Sequence, residues 1–174
     1  MKPKQRRDRL FKFSRPNIRE VTLIDENGYT KDMGILWGAY GNNMGATQKE
    51  FADIMTEELK AHDKSWLVED KNASYENGYG AVGLLYGQYD GWELTPTFDI
   101  FEWATPRNTL RAVVSFLQMM RYNKDIGIVS VHSPSKTKRF FNHIQKYGVL
   151  KYVAKLPNGN ADGDRYMYYL RGRK

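Results

Sequence analysis

The chain has 174 residues, 41% hydrophobic and 14% aromatic, with 27 Lys and Arg against 20 Asp and Glu and no cysteine. This is enough apolar material for one full core, and nothing in the length calls for two domains. Without cysteine, disulfides, thiolate metal sites and a cysteine nucleophile are excluded. No apolar run approaches the roughly 18 to 20 residues a spanning helix needs, and the basic start lacks the apolar core and cleavage site of a signal peptide. The sequence therefore reads as a soluble, intracellular protein, neither secreted nor membrane-bound.

The net charge of +7 gathers at the start, where Lys2, Lys4, Arg6, Arg7, Arg9, Lys12, Arg15 and Arg19 face Asp8 alone. The remaining 155 residues hold 19 basic and 19 acidic side chains. We read residues 1–19 as a basic arm and 20–174 as a single domain. Such an arm repels itself and is expected to be extended unless an anionic partner or a neighbouring subunit, in an oligomer, orders it. Lys2, Lys4, Arg6, Arg7, Arg9, Lys12 and Arg15 either contact nucleic acid or an acidic protein surface, or form a solvated tail. Leu10, Phe11 and Phe13 favour docking, since a solvating tail has no use for apolar side chains.

Arg19 to Asp25 alternates around Val21, Leu23 and Ile24 and runs into Asn27-Gly28, a hairpin signal, so Met33 to Tyr40 is expected as the returning strand. Gly41 to Gly45 breaks the chain. Thr47 and Glu50 then form a capping box for a helix to about His62, with Phe51, Ile54, Met55 and Leu59 on one face. Ser65 to Asp70 reads as a strand, Lys71 to Gly78 as a polar loop, and Tyr79 to Tyr89 as a longer strand turning at Asp90-Gly91. Trp92 to Trp103 returns, with Pro96 marking a bulge or a break. Leu110, Val113, Val114, Leu117 and Met120 predict a helix over 107–122. Ile126 to Val131 is a near-continuous apolar strand, the kind buried on both faces. Ser133-Pro134 opens a helix with Phe140, Phe141 and Ile144 inward, closed by Gly148. Leu150 to Leu156 and Arg165 to Leu170 are the last strands.

This order, with the Arg107-x-x-Leu110-x-Ala112 helix start and the helix ending in Lys146-Tyr147-Gly148-Val149, resembles the GNAT superfamily of acyl-CoA-dependent N-acyltransferases. More narrowly, it looks like the divergent GNAT-fold proteins of tailed bacteriophages. The resemblance covers roughly Ser65 to Leu170. It implies an α/β fold, a GNAT-like mixed β-sheet flanked by helices, here with an extra N-terminal hairpin and the basic arm. It also implies acetyl-CoA as cofactor, its pyrophosphate held by Arg107, Asn108, Thr109, Arg111 and Ala112, with Glu102 as candidate base. In the family this loop reads Arg or Gln, two residues, Gly, one residue, Gly or Ala, and here Leu110 replaces the first glycine. Glycine lets main chain approach a pyrophosphate with no Cβ between and tolerates positive φ; leucine offers neither. The tyrosine that often protonates the leaving thiolate falls on Ile144, which carries no proton to give.

Other constellations carry less. His62, His132 and His143 show no metal-ligand spacing, so no metal site is expected. Asn158-x-Asn160-x-Asp162-Gly163 is similar to the start of a calcium loop, but its first ligand is Asn and Tyr169 stands where the closing Glu belongs, so it reads as a polar turn. The expected function is a non-catalytic, virion-associated structural or assembly protein on a degenerate acyltransferase fold, in the virion or the infected host's cytoplasm. It would bind other virion proteins or nucleic acid through residues 1–19, with no cofactor. The alternatives are an active acetyl-CoA-dependent N-acetyltransferase and a nucleic-acid-binding accessory factor acting through the arm.

Overall fold

A computed structural model of the chain describes residues 1–73, 80–161 and 163–172. Most of the predicted loop at Lys71 to Gly78, and Asp162 of the polar turn, lie outside them. The elements run α1 (Pro3–Leu10), β1 (Asn17–Glu20), β2 (Ile24–Asp25), β3 (Gly28–Tyr29), α2 (Lys31–Leu36), a π-helical turn (Trp37–Gly41), α3 (Asn42–Met44) and α4 (Gln48–Lys60). They continue with β4 (Lys64–Glu69), β5 (Ala81–Tyr89), β6 (Glu93–Ile100), α5 (Pro106–Tyr122), β7 (Ile128–Pro134), a 3-10 turn (Ser135–Thr137), α6 (Lys138–Gln145), β8 (Lys151–Asn160) and β9 (Gly163–Arg171). Seven strands form one mixed sheet in the order β1-β4-β5-β6-β7-β9-β8, and β2 and β3 make a separate small hairpin.

The chain builds two compact units from interleaved segments: 16–88 with 98–112, and 1–15 with 89–97 and 113–174. They carry opposite charge. The first holds 8 Lys and Arg against 14 Asp and Glu, the second 19 against 6. With residues 1–19 left out the counts are 7 against 14 and 12 against 5, so the even balance of 19 and 19 read for residues 20–174 is the sum of an acidic and a basic part.

In the acidic unit, β1 and β5 pair antiparallel with the two sides of β4. Met33, Ile35, Leu36, Phe51, Ala52, Leu67 and Ala81 are fully buried in one cluster. The segment Met33 to Tyr40, expected as a strand, is helical. Its apolar residues 33, 36, 37 and 40 also fit the i, i+3, i+4, i+7 spacing of a helix, and the Thr30 hydroxyl accepts the Met33 N–H at 3.4 Å as an N-cap. The hairpin is present, but its turn falls one residue earlier, at Glu26 and Asn27, with Gly28 already paired to Asp25 in β3. The capping box of α4 is formed as expected, with the Thr47 amide donating to Glu50 Oε2 at 2.7 Å. Ile54, however, is exposed rather than inward.

In the basic unit, β9 lies between β7 and β8, antiparallel to both. β6 pairs with β7 in parallel at Glu93 and Leu94 only. Pro96 follows two residues on, without an N–H for the ladder. Phe141, Ile144 and Tyr168 are buried, and the Tyr168 hydroxyl donates to Asn142 Oδ1 at 2.9 Å. The arm is not extended. Residues 3–10 form α1, whose Arg7 guanidinium donates to the Tyr147 carbonyl just past α6. Gly148, at φ +70°, closes that end of α6, and a Cβ there would stand 2.9 Å from Pro3. Arg19, counted with the arm, belongs instead to β1 of the acidic unit, where it forms a bidentate pair with buried Asp32.

At Gly83 in β5, an added Cβ would lie 2.5 Å from the main-chain oxygen of Asp99. Since backbone cannot rotate away as a side chain can, Gly83→Ala is expected to destabilise the protein by about 1–3 kcal/mol. Chemical denaturation checks this; an unchanged midpoint would show that β5 and β6 are not packed this closely.

Candidate functional site

The residues expected to cradle a pyrophosphate are inside a helix. α5 starts at Pro106, one residue ahead of the helix start read at Arg107, so Arg107 to Ala112 form its first turns. Thr105 caps it: its hydroxyl accepts the Asn108 N–H at 3.2 Å and donates to Asn108 Oδ1 at 2.5 Å, and its carbonyl accepts the Thr109 N–H at 2.9 Å. Pro106 has no N–H. The amides of Leu110, Arg111 and Ala112 run along the helix axis to carbonyls four residues back. Of the first turn, only the Arg107 amide has no acceptor among the described residues.

The side chains divide likewise. Arg107 is exposed, Thr109 is half-buried with its hydroxyl on the Thr105 carbonyl at 3.0 Å, and Asn108, Arg111 and Ala112 face inward. Leu110, expected to open the apolar stripe, is only half-buried, and the buried run starts at Arg111 and Ala112. Arg111 is held by a structural ion pair. Its Nε donates to Asp70 Oδ2 at 2.5 Å and its Nη2 to Oδ1 at 3.3 Å, with both side chains almost wholly buried. Asp70 Oδ1 also accepts the Asn72 amide at 3.1 Å and side chain at 2.9 Å. Burial pushes the Asp70 carboxyl up, but the bonds from Arg111 and Asn72 outweigh it and hold the group below the ordinary carboxylate range. A cofactor pyrophosphate needs several converging free amides or cations. This helix start offers one amide and the exposed Arg107, so the residues present do not fit that group.

Glu102 lies in the turn after β6, exposed to solvent. Asp99, on β6 itself, is the carboxylate with a built environment. Its Oδ2 accepts the Tyr40 hydroxyl at 2.7 Å, beside a pocket of about 290 Å³ lined by Tyr40, Tyr86, His62, Glu58, Met55 and Asp99 among others. Burial, followed by the bond to Asp99, drives the Tyr40 phenol far above its usual range. Burial and the charges of Asp99 and Glu58 raise Tyr86 in the same direction. The His62 ring lies 4.4 Å from that of Tyr86, and its buried Nδ1 has no hydrogen-bond partner among the described residues. Two carboxylates among aromatic faces make a site for an ammonium group, by charge and by cation–π attraction. The sequence reading missed it because the stretch carrying Tyr40 read as a strand. Ile144 is fully buried, and Tyr147, half-buried, stacks edge-on against His143 at 5.7 Å. Among the described residues no group of three His, Asp or Glu is placed to hold a metal ion. No described helix is long and apolar enough to cross a membrane.

No protein-family model and no curated protein matches the chain. Solved structures do. A spermidine N-acetyltransferase SpeG chimera from Vibrio cholerae and hSSAT superposes with a TM-score of 0.61 at 10% identity, over 91% of this chain and 96% of that one. A GNAT-family acetyltransferase from Bacillus anthracis gives 0.58 at 13% identity, over 91% and 95%. Ard1 from Thermoplasma volcanium gives 0.53 at 18% identity, over 91% and 99%. The fold is that of the GNAT acetyltransferases, as the resemblance implied.

Arg111→Met leaves the Asp70 charge buried and unpaired, which is expected to cost about 3–5 kcal/mol and to lower Tm by about 10 °C or more. Replacing both partners with apolar residues recovers most of the loss. Because the folded-state pKa of Asp70 lies below its unfolded value, the stabilisation is present above the ordinary carboxylate range and lost as pH falls through the depressed value. Thermal unfolding across pH 3 to 7 measures it; an acid limb identical in Asp70→Asn would show that this pair does not set it.

Proposed function

We propose that this chain keeps the amine-binding side of the acetyltransferase fold and has lost the acyl-CoA side. It works as a recognition or assembly protein that holds a cationic amine between Tyr40, Tyr86, Glu58 and Asp99. The observation that carries this reading is the start of α5. A proline at its first position, a threonine cap on Asn108 and the burial of Arg111 against Asp70 leave one main-chain donor where a pyrophosphate needs several. The pocket, by contrast, has the charge and aromatic character an amine requires. The tailed-phage particle implied by the resemblance is part of this proposal, since a particle protein can reuse a scaffold for binding alone.

Acetyl transfer from acetyl-CoA to the same amine is the second reading, favoured by the pocket alone. Spermidine, named for the Vibrio neighbour, serves as probe. A micromolar site at millimolar ligand stabilises a protein by about 4 kcal/mol. We expect spermidine to raise Tm, the double variant Asp99→Asn with Glu58→Gln to lose that rise, and millimolar acetyl-CoA to give none. A rise with acetyl-CoA, or spermidine-dependent release of free thiol from it, would establish the second reading instead.

A further inference from the structure

Four cations of the basic unit line a groove that amine recognition does not use. One hollow, of about 870 Å³, is lined by Trp92, Tyr122, Lys124, Ile126, Gly127 and Arg171 among others. A second, of about 360 Å³, is lined by Arg121, Gln145, Gly148, Lys151, Tyr169 and Arg171 among others. Arg171 belongs to both, so the two adjoin. Gly148, in the second hollow, is also the residue against which Pro3 and Arg7 of α1 close. The path from α1 to Trp92 thus passes Lys151, Arg121, Arg171 and Lys124, and neither hollow has a carboxylate in its lining.

These cations are available. Among the described residues, Lys124, Lys151 and Arg171 make no ion pair, and the one described pair of the basic unit is Lys155 with Asp164. Arg121 donates through Nη1 to the Gly148 carbonyl at 3.2 Å, while its buried Nε has no hydrogen-bond partner among the described residues. Unpaired cations in a row attract a polyanion with regularly spaced charges.

The aromatic residues narrow the class. The Trp92 indole lies directly on Gly127, where an added Cβ would be 2.1 Å from the ring, and the main chain beneath is tied by the Gly127 N–H to the Trp92 carbonyl at 2.9 Å. The ring is therefore held in place on bare backbone yet stays 50% exposed, and Tyr122, at the end of α5, is 60% exposed. Exposed aromatic rings, one of them seated on backbone, beside a row of cations suit a polymer that alternates flat π faces with phosphates. Acidic peptides have no base to stack, and in a duplex the base faces are already covered.

We propose that this groove binds single-stranded nucleic acid, with Trp92 and Tyr122 as stacking platforms and Lys124, Arg171, Arg121 and Lys151 on the phosphates. The site is separate from the amine pocket and independent of whether acyl transfer occurs.

The test is fluorescence anisotropy of a fluorescein-labelled 15-nucleotide oligothymidine titrated with the full chain. For four to five phosphate contacts on a single strand, affinity is expected to fall by about fifty- to a hundredfold between 50 and 200 mM salt. Lys124→Glu with Arg171→Glu is expected to weaken binding at least tenfold. Tyr122→Ala and Trp92→Ala should each weaken it by about tenfold; Tyr122, at an exposed helix end, keeps the test valid should the Trp92 variant misfold. Absence of binding at 50 mM salt, or an unchanged Kd in the charge-reversal variant, would overturn the proposal. So would competition by polyglutamate as effective as by unlabelled oligothymidine, which indicates an acidic peptide or generic polyanion site. Equal affinity for a duplex of the same length would remove the stacking platforms and the single-strand assignment with them.

Discussion

The ion pair between Arg111 and Asp70 governs the region on which any functional reading depends. Both groups are buried, so their desolvation is offset only while the geometry is held and the remaining carboxylate lone pairs are occupied, here by Asn72. This pins the second turn of α5 to the turn that follows β4. With that turn fixed, the residues ahead of it continue the helix outward to a proline and a threonine cap. A loop able to wrap an anion would need those same amides pointing outward. Arg111 is thus committed to Asp70 and turned away from solvent at this helix start.

The two units present opposite chemistry. The acidic unit gathers carboxylates and aromatic rings around a small pocket, which drives the Tyr40 phenol far above its ordinary range and raises that of Tyr86. The basic unit lines an open groove with cations and no carboxylate. Fold likeness alone, at identities of 10 to 18%, speaks to neither arrangement. Both follow from where the side chains lie.

Much of the architecture was legible in the sequence because its cues were local. The capping box at Thr47, the hairpin signalled by Asn27-Gly28, the turn at Asp90-Gly91, the apolar stripe of α5 and the left-handed Gly148 each depend on residues a few positions apart. The failures have physical causes as well. Residues 33, 36, 37 and 40 satisfy a helical period within a stretch that also alternates, and the choice was made by Thr30 and by burial on α4. The arm carried too much charge to order itself, yet a carbonyl 140 residues away accepts Arg7. The segregation of charge was hidden by equal totals, because the units are woven from separate stretches of chain. The helix start at Arg107 to Ala112 was legible from its apolar spacing, whereas the Thr105 cap and the burial of Arg111 against Asp70 depend on contacts that spacing does not carry.

That weave has a kinetic consequence. The acidic unit is complete once residue 112 has been synthesised, whereas the basic unit lacks most of its sheet until β9 emerges. Residues 1–15 are synthesised long before Tyr147 and Gly148, so α1 can close on that end of α6 only after every residue of the acidic unit has been made. Until those residues exist, Pro3 and Arg7 lack the contacts that hold α1 in the folded chain, and the ordering of this basic stretch is a late, long-range event.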